Sequence, residues 1–246
     1  MRTAAAPSDF MCKLKSRQEV AEDTMAFHFE KPTGWTFKPG QYVDMTLLDP
    51  RETDSQGNIR SFSIASAPQE STLMVATRIR DTAFKRGLRT MPLGTQVRVE
   101  GPLGSFTLHS NASRPAVFLA GGIGITPFRS IIVNAASTRL ENRIVLFYSN
   151  RRPEDCAFLQ ELQEIGDDNK NYQIIGVMTG MEKSKRQWNG EIGFIDKVML
   201  GRFVPDVAAP IYYIAGPPAM VAAMKKTLAN ALVNEDDVRS EDFAGY

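Results

Sequence analysis

The first hundred residues alternate short apolar runs with turn-forming residues, a pattern typical of β-strands. Pro, Gly and Asn punctuate these runs, which are Gln18–Glu30, Gln41–Leu48, Arg60–Ala65, Leu73–Ile79, Thr95–Glu100 and Ser105–Leu108. Strands of this length and spacing predict a closed or nearly closed antiparallel barrel. The segment Asp81–Met91 is predicted to form a helix inserted among these strands.

After the polar stretch His109–Arg114 the pattern changes to buried strands that alternate with amphipathic helices. The predicted strands are Ala116–Ala120, Arg143–Tyr148, Tyr172–Thr179 and Pro210–Ala215. Helices are predicted to open at Pro127, Pro153 and Pro218, since proline suits a first helical turn. Alternating strands and helices predict a parallel sheet covered on both faces. The sequence therefore predicts two domains, an antiparallel β-barrel at 8–110 and a Rossmann-like α/β domain at 111–246.

Composition and charge narrow the range of functions. The 29 basic and 28 acidic residues leave a net charge of +1. This charge is too small to produce an electrostatic field that would attract nucleic acid or an anionic membrane. The longest apolar stretch, Ala116–Phe128, is too short and too rich in glycine to span a membrane. The residues before Phe10 lack the apolar core of a secretory signal, and a cytoplasmic protein is expected.

Metal-binding residue types are scarce. The sequence holds two cysteines, Cys12 and Cys156, whereas an iron–sulfur cluster or a structural zinc site needs four ligands. Neither His28 nor His109 has another histidine or a cysteine at metal-ligand spacing. No metal site is predicted.

A glycine-rich turn links the strand Ala116–Ala120 to the following helix. Its candidate ligand-binding residues are Gly121, Gly122, Gly124, Thr126 and Pro127. Backbone N–H groups at such a helix start bind phosphate, so this turn is a candidate cradle for a pyrophosphate. Tight packing alone explains such a turn equally well. The turn has no Gly-Lys-Ser/Thr, which argues against phosphoryl transfer.

The next strand ends in polar and basic residues where a dinucleotide fold holds the adenosine ribose. These are Ser149, Arg151 and Arg152, with no acidic residue to bind a ribose diol. Arginine offers a planar fork of charged donors that suits a 2′-phosphate. The sequence therefore favours NADPH over NADH, although solvated arginines at a loop tip are the competing interpretation.

Four further motifs stand in a fixed order along the chain: Phe37–Tyr42, Arg60–Ser63, Gly101–Phe106 and Gly216–Met220. Together they resemble the ferredoxin-NADP reductase family of flavoproteins, over nearly the whole chain. The resemblance implies that Arg60-Ser61-Phe62-Ser63 binds the flavin. Arg60 would hold its phosphate, Phe62 would pack on the ring, and the Ser63 hydroxyl would approach flavin N5.

The resemblance also assigns roles elsewhere. Residues implied to contact the flavin are Thr77, Ala83, Phe84 and Lys85, with Lys85 standing where the family has a serine. Those implied to contact the nicotinamide coenzyme are Gly216, Pro217 and Met220. Ala215 stands where the family more often has cysteine, and Phe243 or Tyr246 would shield the second flavin face. FAD is favoured over FMN.

The implied activity is hydride transfer from NADPH to bound FAD, followed by release of single electrons to a ferredoxin or flavodoxin. Ser63 and Tyr246 are the candidate catalytic residues. Two alternatives stay open at this point: a reductase of free flavin, ferric chelates or quinones, and a non-catalytic electron-transfer subunit. The sequence leaves the oligomeric state undetermined.

Overall fold

The computed structural model describes residues 8–244, and their first half folds as a curled antiparallel sheet. Its strands are β1 Ser8–Ala21, β2 Thr24–Glu30, β3 Tyr42–Leu47, β4 Ile59–Ser63, β5 Thr72–Arg78 and β6 Gln96–Leu103, with helix α1 Ala83–Thr90 between β5 and β6. The strand order is β4-β3-β6-β1-β2-β5. Just past β4, the Ala65 N–H donates to the Met74 carbonyl of β5 at 2.8 Å, so the two outer strands meet. The predicted antiparallel barrel is confirmed.

Strand alternation builds the barrel core. On β3, Val43, Met45 and Leu47 are buried while the residues between them are partly exposed. These side chains pack with Phe27, Phe29 and others inside the curled sheet. The residues of β4 therefore divide between an inner face and an outer face.

Two strand predictions in this half are wrong in detail. The single run Gln18–Glu30 is split by a turn at Glu22-Asp23, where Asp23 adopts a left-handed conformation with φ of 53°. Aspartate tolerates this conformation, so no glycine or proline marks the turn. Ser105–Leu108 forms no strand. Its Phe106 is buried instead against Phe128 and Tyr213 of the second half.

The second half is a six-stranded parallel sheet covered by helices. Its strands are β7 Ala116–Gly121, β8 Ile144–Asn150, β9 Tyr172–Met178, β10 Glu191–Ile192, β11 Ile211–Gly216 and β12 Val238–Asp242. Its helices are α2 Ile125–Ser137, α3 Leu159–Asp168, α4 Lys197–Phe203 and α5 Pro218–Asn230. The order β10-β9-β8-β7-β11-β12 places the continuously buried β7 at the centre, with a hydrophobic cluster on each face. The predicted Rossmann-like fold is confirmed.

The helix predicted to open at Pro153 begins later. Pro153–Asp155 forms one 3₁₀ turn, and the α-helix starts only at Leu159. Phe158, which precedes it, has a φ of 60°, and a left-handed residue cannot continue a right-handed helix. The predicted start of this helix at Pro153 is therefore wrong by six residues.

Polar contacts join the two halves, one of them buried and one at the surface. The Arg129 guanidinium of α2 donates to the Ala65 carbonyl, and Arg152 pairs with Glu22. The domain boundary at 110/111 stays a prediction. None of the helices between residues 8 and 244 has the length and apolar character needed to span a membrane.

Candidate active site

A cavity of about 240 Å³, here called the β4 cavity, opens where β4 faces the start of α2. It is lined by Arg60, Ser61, Phe62, Ser63, Ala76, Ile123, Thr126, Asp242, Phe243 and Ala244. The structure thus brings the predicted Arg60–Ser63 motif together with Thr126 and Phe243. Strand β5 and strand β12 complete the wall.

The last two residues of the motif face different surroundings. Phe62 pairs with Val43 and packs against Phe84 with a centroid distance of 5.8 Å, which leaves 4% of its surface exposed. Ser63 is half-buried at the cavity. Little of the Phe62 ring is left for a flavin to cover, so the stacking role stays a prediction.

Arg60 is held firmly at the edge of the β4 cavity. Its guanidinium donates to the carbonyl oxygens of Gln56, Gly57 and Ile59 at 2.7 to 3.2 Å. Its Cζ lies 5.1 Å from the centre of the Phe84 ring. These contacts fix a positive charge beside the first turn of α1.

A second cation is buried in that turn. Burial, with repulsion from Arg80 and Arg60, lowers the pKa of Lys85 to about 8. The Asp54 carboxylate accepts from the Ala83 N–H at 2.9 Å, so this helix start already attracts an anionic group. Clustered cations at a helix start fit a phosphate, whose charge would relieve their repulsion.

The second cavity, of about 430 Å³, lies along the glycine-rich turn and is here called the glycine-loop cavity. Its predicted lining residues are Gly121, Gly122, Ser149, Arg151, Pro217, Met220 and Phe243. Ile123 and Phe243 line both cavities, so the two adjoin there. A ligand in one would meet a ligand in the other at this point.

The space around the glycines of the turn is consistent with a dinucleotide cradle. A Cβ at Gly121 would lie 2.2 Å from Met220 Sδ, and one at Gly124 would lie 2.2 Å from the Ala215 carbonyl oxygen. Gly122 has a φ of 53° and open space on its side-chain side. Gly121 allows close packing of β7 against the start of α5, and Gly124 allows close packing of the start of α2 against β11. Gly122 leaves room for a ligand.

Some predicted residues support the cavities without lining them. Gly124 ends the 3₁₀ turn, Pro127 lies in the first turn of α2 and Gly216 is the last residue of β11, and none of the three lines the glycine-loop cavity. Thr77 is fully buried, and its hydroxyl donates to the Arg78 carbonyl at 3.3 Å. Its neighbour Ala76 lines the β4 cavity instead. Tyr246 lies outside the described residues.

Arg151 and Arg152 have different surroundings in the structure. Arg151 is exposed and lines the glycine-loop cavity. The Arg152 guanidinium donates to Asp155 at 2.8 Å and to Glu22 at 2.7 Å. Arg152 therefore ties the β1–β2 turn to the second half, and the two arginines are not equivalent candidates for a phosphate.

Several lining residues were missed from the sequence. Those of the glycine-loop cavity are Arg78, Arg80, Ile123, Asn150, Asp155, Thr179, Phe194, Ile195, Ala219, Ala223 and Met224. The carboxyl ends of β8 and β9 carry Asn150 and Thr179, and ligand sites of parallel sheets form at that edge. That rule could have found them. Nothing in the sequence pattern indicates that Arg78, from the barrel, lines this cavity.

Glu241 was also missed. It lies on β12 in parallel register with Ala215, next to the turn that carries Gly216. Burial raises the pKa of Glu241 to about 7. A carboxyl group thus titrates near neutral pH beside both cavities.

The fold and the adjoining cavities define a class: a two-domain oxidoreductase that binds a flavin on its barrel and a nicotinamide dinucleotide on its parallel sheet. Residues 11–108 match the oxidoreductase FAD-binding domain, and residues 118–226 match the oxidoreductase NAD-binding domain. The chain belongs to the ferredoxin reductase-like family of flavoproteins. The predicted resemblance is confirmed.

Known relatives differ in their partners. The chain is 27% identical over 223 residues to a glycine betaine monooxygenase reductase subunit of Chromohalobacter salexigens, covering 89% of this chain and 60% of that protein. An Amycolatopsis cytochrome P450 reductase superposes with a TM-score of 0.81 at 22% identity, covering 96% of this chain and 70% of the other. A Neisseria gonorrhoeae ferredoxin NADP⁺ reductase with bound FAD and NADP superposes with a TM-score of 0.76 at 19% identity, covering 95% and 98%. The chain thus spans less than two thirds of the first relative's length.

Proposed function

We propose that this chain is a flavoprotein reductase that takes a hydride from NADPH onto bound FAD and delivers single electrons to a ferredoxin or flavodoxin. The observation that carries the proposal is the junction of the two cavities at Ile123 and Phe243. When bound, FAD supplies the conversion of a two-electron hydride into single electrons. The chain supplies the positioning of the two ring systems.

The residues divide the work by position. Arg60 and Lys85 would neutralise the flavin phosphates, and Ser63 would place its hydroxyl beside the reacting edge of the ring. Gly121 and Gly122 would offer backbone N–H groups to the coenzyme pyrophosphate. Pro217 and Met220 would hold the nicotinamide end of the coenzyme. Phe243 or Tyr246 would shield the second face of the flavin until the coenzyme enters.

The electron acceptor has a second candidate. The glycine betaine monooxygenase reductase subunit and the cytochrome P450 reductase are named for an oxygenase and a haem protein. An oxygenase component is therefore an alternative to ferredoxin or flavodoxin as the partner of this chain. Turnover with each purified acceptor separates the two.

A cytoplasmic location and domains at 8–110 and 111–246 belong to the same proposal.

An anaerobic titration of the purified protein tests the proposed function. We expect a yellow protein whose flavin absorbance bleaches on addition of NADPH, and at lower concentration than with NADH. The flavin released by denaturation should be FAD. A protein that binds neither FAD nor FMN on reconstitution, or whose flavin neither coenzyme bleaches, contradicts the proposal and favours a non-catalytic subunit.

The two arginines after β8 give a test of coenzyme choice. We expect Arg151→Ala to raise the KM for NADPH about 10-fold and to leave NADH turnover within about 2-fold, because a charged hydrogen bond to the 2′-phosphate contributes roughly 1.5–3 kcal/mol. Arg152→Ala should affect both coenzymes equally, since its partners are Asp155 and Glu22. Steady-state kinetics with each coenzyme decides this. Equal losses for both coenzymes in Arg151→Ala would defeat the phosphate role.

A further inference from the structure

A buried arginine joins the two halves of the molecule close to both cavities. Arg129 lies on α2, one turn after Thr126 of the β4 cavity, and only 5% of its surface is exposed. Its guanidinium lies over the Phe158 ring, with Cζ 5.1 Å from the ring centre. A cation buried this deeply is costly unless its donors are matched.

Each N–H of the Arg129 guanidinium has an acceptor. Nη1 donates to the Ala65 carbonyl at 2.7 Å and to Glu70 Oε2 at 2.9 Å, and Nη2 donates to Glu70 Oε1 at 3.1 Å. Nε donates to Glu161 Oε2 at 2.8 Å, and Nη2 also donates to Glu161 Oε1. Five donors thus meet five acceptor contacts, which is the full capacity of an arginine.

These acceptors belong to both halves of the chain. Ala65 and Glu70 lie on the segment between β4 and β5, and Glu161 lies on α3. The neighbouring Ser130 hydroxyl donates to the Ser66 carbonyl at 2.7 Å. Two consecutive residues of α2 therefore bind two consecutive carbonyls of the β4–β5 segment.

Both sides of this contact lie a few residues along the chain from residues that line the β4 cavity. Ala65 is two residues beyond Ser63, and Arg129 is three residues beyond Thr126; Ser63 and Thr126 line the same cavity. The segment at 65–66 is also fixed from the barrel side, because the Ala65 and Ser66 N–H groups both donate to the Met74 carbonyl. Any change in the Arg129 contact would move the strand of Ser63 relative to the start of α2.

We propose that Arg129 is a positioning residue for hydride transfer, which holds the flavin-facing strand at a fixed distance from the coenzyme-facing turn. The inference rests on the proposed function. Arg129 touches neither ring system; it acts through Ala65 and the start of α2. Lysine keeps the charge but cannot form five directed hydrogen bonds, so Arg129→Lys should loosen the spacing while leaving most of the packing in place.

The test is anaerobic stopped-flow reduction of the purified holoprotein by saturating NADPH. We expect Arg129→Lys to slow flavin bleaching at least 10-fold, with the dissociation constant for NADP⁺ within 3-fold of wild type and FAD content unchanged. The long-wavelength charge-transfer absorbance that forms when nicotinamide and flavin rings approach should weaken. Hydrogen exchange of the amides at 64–70 in the apoprotein should speed up, which gives a readout without bound cofactor.

A matched control and a milder variant complete the design. Arg114 also binds a carboxylate and two carbonyls, but all within the second half, at Asp237, Ala209 and Pro210. Arg114→Lys should leave the bleaching rate unchanged. If Arg129→Lys fails to fold, Glu70→Gln weakens the same contact and should slow bleaching less.

The outcomes separate the inference from the function on which it rests. Wild-type protein that is not bleached by either coenzyme removes the proposed function, and the inference falls with it. Bleached wild type with Arg129→Lys or Glu70→Gln as fast as Arg114→Lys overturns the positioning role alone. If Arg129→Lys loses bound FAD or affinity for NADP⁺ to the same extent as it loses bleaching rate, Arg129 has a merely structural role. That result also overturns the positioning role.

Discussion

Gly124→Ala is expected to weaken binding of both coenzymes more than about 10-fold. The added Cβ would lie 2.2 Å from the Ala215 carbonyl oxygen, 2.4 Å from its carbon and 2.7 Å from the Gly216 nitrogen. All three are backbone atoms of β11 and cannot rotate away. The start of α2 would have to move away from the sheet, and the glycine-loop cavity is built on both sides of that contact.

The cost divides between stability and binding. Overpacking of this kind destabilises by roughly 1–3 kcal/mol, and a displaced turn should raise the dissociation constant for NADP⁺ and NAD⁺ more than about 10-fold, or 1.4 kcal/mol. Calorimetric titration of the holoprotein with each oxidised coenzyme measures the binding loss. Thermal unfolding measures the loss of stability separately.

Gly201→Ala is the matched control. Gly201 lies within α4, and a Cβ there would have no atom within 4 Å. Alanine favours a helix over glycine by about 1 kcal/mol, so this variant should be as stable as wild type or more so. Wild-type coenzyme affinity in Gly124→Ala would show that the turn at 121–124 does not hold the dinucleotide.

The glycine-rich turn could be predicted because local chemistry dictates it. A continuously apolar run, closely spaced glycines and a threonine-proline helix start all lie within twelve residues. Each signal depends only on near neighbours, so the strand, turn and helix appear in the structure where the sequence places them. The Arg60–Ser63 motif was placed on a strand for the same reason.

Contacts between distant segments could not be predicted in this way. Arg152 and Glu22 are 130 residues apart, and nothing in either local sequence indicates that they pair. The same holds for Arg129 with Glu70, and for Arg78, which the barrel contributes to a cavity of the other half. Sequence patterns show residue types; the fold determines which of them are already bound to a partner.

A polar strand also lacks the apolar alternation from which strands are predicted. Strand β12, with the sequence Val-Arg-Ser-Glu-Asp, has no apolar alternation, and its residues are partly exposed. It is a strand because it pairs with β11 at the edge of the sheet, from Tyr212 with Val238 to Gly216 with Asp242. Because β12 is not predicted, Glu241, whose pKa burial raises to about 7, is not predicted as a site residue either.

Glu241→Gln is expected to stabilise the protein above pH 7 and to have little effect on its stability below pH 4.5. In the folded chain burial raises the pKa of Glu241 to about 7, from 4.5 in a free side chain. Between these values the native state binds more protons than the unfolded state, so this group makes stability fall as pH rises. Above pH 7 the full cost of a buried carboxylate is present, and glutamine removes it.

A shift of this size corresponds to ~3 kcal/mol for a fully buried group, and solvent screening of a partly exposed side chain reduces it to about 1 kcal/mol. For a chain of this length that is roughly 2–4 °C in Tm. Thermal unfolding of holoprotein at pH 8 and pH 5 measures the effect. Glu235→Gln, on an exposed residue just before β12, should change neither value. A Tm gain that is clearly larger at pH 8 than at pH 5 would support the raised pKa of Glu241. An equal gain at both pH values would contradict it.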